Sequence, residues 1–96
     1  MAGQVRMVRA RITVSGRVQG VYFRASARDI ARTCGVSGWV RNRAVGDVEA
    51  VVEGEEAAVQ AFIAWCHAGP AGASVTEIQV TPEPYTGEFQ GFRIVG

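Results

Sequence analysis

Apolar and polar positions alternate over residues 8–15: Val8, Ala10, Ile12 and Val14 point one way, Arg9, Arg11, Thr13 and Ser15 the other. A period of two is that of a half-buried strand. Gly16 and Gly20 then bracket a loop that runs to Tyr22. From Phe23 to Cys34 the period lengthens. Phe23, Ala27, Ile30, Ala31 and Cys34 share one helical face, and Arg24, Arg28 and Arg32 lie opposite. Gly35 is placed to stop that helix. Val36–Arg43 and Asp47–Glu53 predict two further strands, with the turn at Gly46. A second helix is expected from Glu55 to about Ala68. Ala58, Val59, Phe62, Ile63 and Cys66 form its apolar stripe, and two Glu in its first turn suit the helix dipole. Gly69-Pro70-Ala71-Gly72 ends it. Val75–Thr81 reads as a strand that Pro82 and Pro84 break. A loop around Tyr85–Gln90 leads to a short last strand, Gly91–Val95.

The order strand–helix–strand–strand–helix–strand, plus a short fifth strand, predicts an α+β fold. It is the ferredoxin-like split βαβ sandwich: an antiparallel sheet of four strands and a short fifth, with two helices on one face. The chain of 96 residues is expected to form one domain over 1–96, with 1–6 loosely ordered. Such a fold hosts many functions, so function must come from a site.

Charge narrows the choice only slightly. Ten basic and nine acidic residues leave a net charge of +1, which favours neither nucleic acid nor a membrane surface. The distribution is uneven. Nine of the ten Arg lie at or before Arg43, whereas Glu49, Glu53, Glu55, Glu56, Glu77, Glu83 and Glu88 follow it, and there is no Lys. Arg binds phosphate and carboxylate bidentately, although genome composition explains most of this usage. No apolar run is long enough to span a membrane and no secretory pattern opens the chain. A cytoplasmic monomer is expected. Cys34 and Cys66 lack metal-ligand spacing. Both sit near the ends of helices expected to run antiparallel, which places the thiols too far apart for a bridge. Two buried free thiols follow.

The informative segment is Gly16-Arg17-Val18-Gln19-Gly20-Val21-Tyr22-Phe23-Arg24. It leads from a strand into a helix. Glycines permit φ > 0 and close approach of a ligand. The first helical turn offers unpaired N–H groups and partial positive charge. A loop wrapped this way makes an anion-binding concavity, and Arg24 can add a bidentate grip. A tight turn with a solvated Arg is the plain alternative. The segment lacks the Gly-Lys-Ser/Thr ending of a Walker motif.

The run Val14–Arg24 also resembles the first signature of the acylphosphatase family, and Gly38–Gly54 resembles the second. The tail Gly91-Phe92-Arg93-Ile94 is similar to that family's last strand. The resemblance implies hydrolysis of acyl phosphates without metal or other cofactor. It implies that Arg24 binds the substrate phosphate and that Asn42 positions the attacking water. The backbone of Arg17, Val18, Gln19, Gly20, Val21 and Tyr22 would cradle the phosphate. Val45 departs from the acid that relatives often carry before the turn glycine, and Cys34 from a frequent Leu.

The residues present fit so spare a chemistry. No His, Cys or Ser stands as an activated nucleophile unless Ser15 or Ser26 is recruited, and Asp29 and Glu49 pair with no His. His67 suits the end of its helix. Trp39 and Trp65 are expected to be packing residues, with Trp39 close enough in sequence to Asn42 to border the site. Tyr22 is a candidate contact for the acyl group. Two rivals compete. One is a non-catalytic anion- or RNA-binding module, which the absence of aromatics over Asp47–Val52 disfavours. The other is the carbamoyl-phosphate-handling segment at the start of a large hydrogenase-maturation protein. A free-standing enzyme is the simpler expectation.

Overall fold

In the computed structural model, which describes residues 5–96, five strands and two helices follow in the expected order. They are β1 (Met7–Arg17), α1 (Phe23–Cys34), β2 (Ser37–Asn42), β3 (Val48–Glu55), α2 (Glu56–Ala68), β4 (Ser74–Glu83) and β5 (Phe92–Ile94). Residues 1–4 of the stretch expected to be loosely ordered lie outside the described residues. At Arg6 the backbone carbonyl already accepts the N–H of Glu56 at 2.9 Å.

The sheet runs β4-β1-β3-β2-β5. The period-two reading of β1 holds: Ala10, Ile12 and Val14 are buried beneath the helices. Phe23, Ala27 and Ala31 of α1 and Val59, Phe62 and Cys66 of α2 meet them there. Phe62 touches Phe92, and Trp65 packs on Phe23 as a helix-face residue. No described helix is long and apolar enough to cross a membrane. The ferredoxin-like α+β architecture is therefore present.

Several expectations change in detail. β5 pairs parallel to β2, Trp39 opposite Arg93, so the sheet is mixed rather than antiparallel throughout. β4 continues through Pro82, because it is an edge strand and the missing N–H costs no ladder bond. β1 carries on through Gly16 to Arg17, and the loop proper begins at Val18. A bulge between Ser15 and Gly16 shifts the β1–β4 register there. Gly16 sits at φ 121°, and a Cβ on it would strike the Ser74 carbonyl. Only Glu56 lies in the first turn of α2, since Glu55 is its N-cap. Cys66 is buried, and burial pushes its thiol up to about 12, whereas Cys34 is only half-buried; both are free.

The open face of the sheet explains the uneven charge distribution. Early arginines lie against late glutamates. Arg9 pairs with Glu53, Glu83 and Glu88, Arg11 with Glu49 and Glu83, and Arg41 with Glu49. Glu53 is 1% exposed on the central strand. Its carboxylate also accepts the N–H groups of Thr86 and Gly87 and the Thr86 hydroxyl, at 2.8, 3.0 and 2.9 Å. These bonds draw residues 86–88 toward the sheet.

Burial alone would raise the carboxyls of Glu49 and Glu53. Arg41 and Arg11 outweigh it at Glu49; Thr86, Arg9 and Gly87 outweigh it at Glu53, and both are held below the ordinary carboxylate range. Hydrogen bonds from Arg9 and Arg11 lower Glu83 too. A carboxyl depressed in the folded state binds its proton more weakly there than in the unfolded chain. Its stabilisation is complete above the unfolded value and fades as pH falls toward the folded one. Urea unfolding measured from about pH 7 to about pH 3 is expected to give a flat stability that declines once pH drops below roughly 4.3. Glu53→Gln should flatten that decline.

Candidate active site

The cleft that matters opens where β1 ends. Val18, Gly20, Tyr22, Phe23, Arg24, Ala25, Asn42 and Ile94 line it, around a volume of about 400 Å³. Three elements supply these residues: the turn from β1 into α1 with the first turn of α1, the end of β2, and the end of β5.

The turn from β1 into α1 is built from two left-handed residues. Gly20 has φ 75°, with open space where a Cβ would stand, so conformation and access rather than packing call for glycine. Tyr22 has φ 61° and ψ 27° and is the one non-glycine residue with positive φ among those described. Such a backbone costs about 1–3 kcal/mol and persists only where the surroundings enforce it. Tyr22 is the N-cap of α1 without a side-chain cap bond, and the helix's first backbone bond runs from Ser26 N–H to Tyr22 O at 3.0 Å. The N–H groups of Phe23, Arg24 and Ala25 thus lie ahead of that bond, in residues that line the cleft. They carry the positive end of the helix dipole.

Arg24 is exposed at this helix start. It pairs with no carboxylate among the described residues, unlike Arg9, Arg11, Arg41 and Arg43. Asn42 is half-buried, and its Oδ1 is fully buried with no hydrogen-bond partner among the described residues. An unpaired buried acceptor costs about 1–3 kcal/mol. Most of the cleft wall is apolar.

Of the candidates expected from sequence, Val18, Gly20, Tyr22, Arg24 and Asn42 come together here. Arg17, Gln19 and Val21 do not line the cleft. Arg17 closes β1 opposite Ser74, Val21 turns toward Gly72, and the side chain of Gln19 reaches the β2–β3 turn. Trp39 does not border the site. It lies on the open face between the guanidinium groups of Arg11 and Arg41, 5.9 and 5.5 Å from its ring centre. Alternation along β2 carried that signal: Gly38 and Val40 face the helices, as does Asn42, whereas Trp39 and Arg41 point away. Ile94 was not anticipated, because β5 takes its place only through its parallel pairing with β2.

Comparison with known proteins meets this geometry from outside. The acylphosphatase family model matches residues 10–94. An acylphosphatase of Roseiflexus sp. is 57% identical over 89 residues, covering 93% of this chain and 96% of its own. The crystal structure of acylphosphatase from Bacillus subtilis superposes with a TM-score of 0.89 at 39% identity, covering 93% of this chain and 99% of that one. The much larger HypF of T. kodakarensis matches with a TM-score of 0.81 at 31% identity, covering 93% of this chain but 12% of its own. A family model spanning nearly every described strand and helix, and relatives identical at more than half their positions along almost their full length, establish that this chain belongs to the acylphosphatase family, hydrolases that act on acyl phosphates.

Proposed function

We propose that the cleft hydrolyses the mixed anhydride of an acyl phosphate by attack of water on phosphorus. Backbone N–H groups of Gly20, Tyr22, Phe23 and Arg24 and the Arg24 guanidinium hold the phosphate. Asn42 orients the water. The observation that carries this reading is the convergence in one cleft of a helix start without a side-chain cap, an arginine with no acidic partner among the described residues, and the Asn42 side chain.

The chemistry closes with these groups. The water oxygen bonds to phosphorus as the phosphorus–acyl oxygen bond breaks, and its electron pair leaves on the carboxylate. That leaving group has a conjugate acid of pKa about 4.3, so it departs without a proton and no general acid is needed. The side-chain amide of Asn42 orients the water by hydrogen bonding and thereby aims its lone pair, but a carboxamide takes no proton at neutral pH. A non-bridging phosphate oxygen receives it. As charge builds on the transferring group, N–H donors and Arg24 already stand around it, which is how preorganised electrostatics lowers such a barrier. A phosphate monoester leaves as an alkoxide, and this site supplies nothing to protonate it.

Two substitutions separate the roles. Arg24→Ala should lower kcat/KM for benzoyl phosphate by roughly a thousandfold and abolish competitive inhibition by inorganic phosphate. Asn42→Ala should lower kcat by about a hundredfold while the phosphate inhibition constant stays within about twofold. Steady-state hydrolysis with phosphate as inhibitor checks both, and wild-type turnover in Asn42→Ala would remove the water-orienting role.

A further inference from the structure

We propose that the side chain of Gln19 is a positioning residue for this reaction: it ties the turn that follows Asn42 to the loop that cradles the phosphate, and so fixes how the water-orienting amide faces the bound group. The inference rests on the reading of Asn42 given above.

Gln19 stands between Val18 and Gly20, which both line the cleft, yet its own side chain leaves the cleft wall. Its Nε2 donates to the carbonyl of Arg43 at 2.9 Å and to that of Asp47 at 3.0 Å. Both partners are backbone oxygens that can only accept, so the NH2 end of the amide must face them. Both hydrogens of that group are thereby used, and half-burial shields the bonds from competing water.

The two carbonyls belong to a closed unit. Arg43 N–H donates to Asp47 O at 2.9 Å, and Gly46 N–H donates to Arg43 O at 3.0 Å. The Arg43 guanidinium grips the Asp47 carboxylate through Nε at 2.6 Å and Nη2 at 3.0 Å. The turn is therefore stiff in itself, while Ala44, Val45 and Gly46 at its tip are exposed. What it needs is an anchor to the rest of the site. Asn42 ends β2 and shares a peptide bond with Arg43, one of the two residues Gln19 holds. Anchoring at Arg43 O and Asp47 O fixes both ends of the turn against the residue next to Gly20. Misplacement of a reacting group by about 1 Å can cost around a hundredfold in rate, so this anchor should be felt in turnover.

A residue that merely stabilised the fold would act whether or not Asn42 is present. One that acts through Asn42 would not. Gln19→Met removes both donors at nearly constant volume, and Gln19→Glu removes them while keeping the outline of the side chain. Each, assayed with benzoyl phosphate at neutral pH, is expected to lower kcat about tenfold or more and to leave inhibition by inorganic phosphate within about twofold. Placed in the Asn42→Ala background, each is expected to change kcat by less than about twofold, since the group it positions is gone.

Equal losses in the two backgrounds, undiminished kcat in both single variants, or weakened phosphate inhibition would overturn the proposal. So would loss of the circular-dichroism signature of the fold in both variants, which would make Gln19 structural. If Asn42→Ala keeps full turnover, the reading of Asn42 falls and takes this inference with it. If Asn42→Ala is slow while the Gln19 variants are fast, only the role of Gln19 falls.

Discussion

The proposed site hangs on how abruptly the chain leaves β1 and enters α1. Between Val18 and Tyr22 it must reverse from an extended strand into a helix, and it does so through left-handed backbone at Gly20 and Tyr22. That geometry leaves the helix start without a side-chain cap, in residues that line an open cleft. The strained Tyr22 is what a capping Ser or Asp would have relieved, and such a cap would have occupied the donors. Here the local rule for starting a helix is broken at the place where the proposed phosphate site lies.

The rest of the fold keeps that turn where it is. The bulge at Gly16 sets the direction in which β1 ends. Helix α1 is pulled onto the sheet by Phe23, Ala27 and Ala31, so its first turn stands over the ends of β2 and β5. On the opposite face, arginines of β1 and β2 neutralise Glu49 and Glu53 of the central strand. Buried carboxylates there would be costly alone. Glu53, paired with Arg9 and bonded to Thr86 and Gly87, holds the segment leading to β5 against the sheet, and β5 in turn contributes Ile94 to the cleft.

Sequence patterns carried most of this fold. The alternation over Val8–Ser15 and the helical face from Phe23 to Cys34 reported their own burial, because each element has one face in the core and one outside it. The edges were harder. Pro82 reads as a strand breaker locally, but an edge position makes its missing N–H harmless. Parallel pairing of β5 with β2 has no local signal at all, being a contact between residues 38–40 and 92–94. For the same reason Ile94 was invisible as a site residue. Within the loop, composition could say that a cradle was present but not which side chains faced it. The glutamine at 19 looks like any polar loop residue until the carbonyls of Arg43 and Asp47 are seen beside it.

The central claim is that a phosphate group is held by the N–H groups of this turn and by Arg24. It is tested most directly by titrating inorganic phosphate into the 15N-labelled protein and following every backbone amide. The account predicts saturable shifts, with one shared dissociation constant, centred on Gln19–Arg24 and the Asn42 side-chain amide. Shifts that cluster elsewhere, or amides of that turn that stay still while phosphate inhibits turnover, would contradict it.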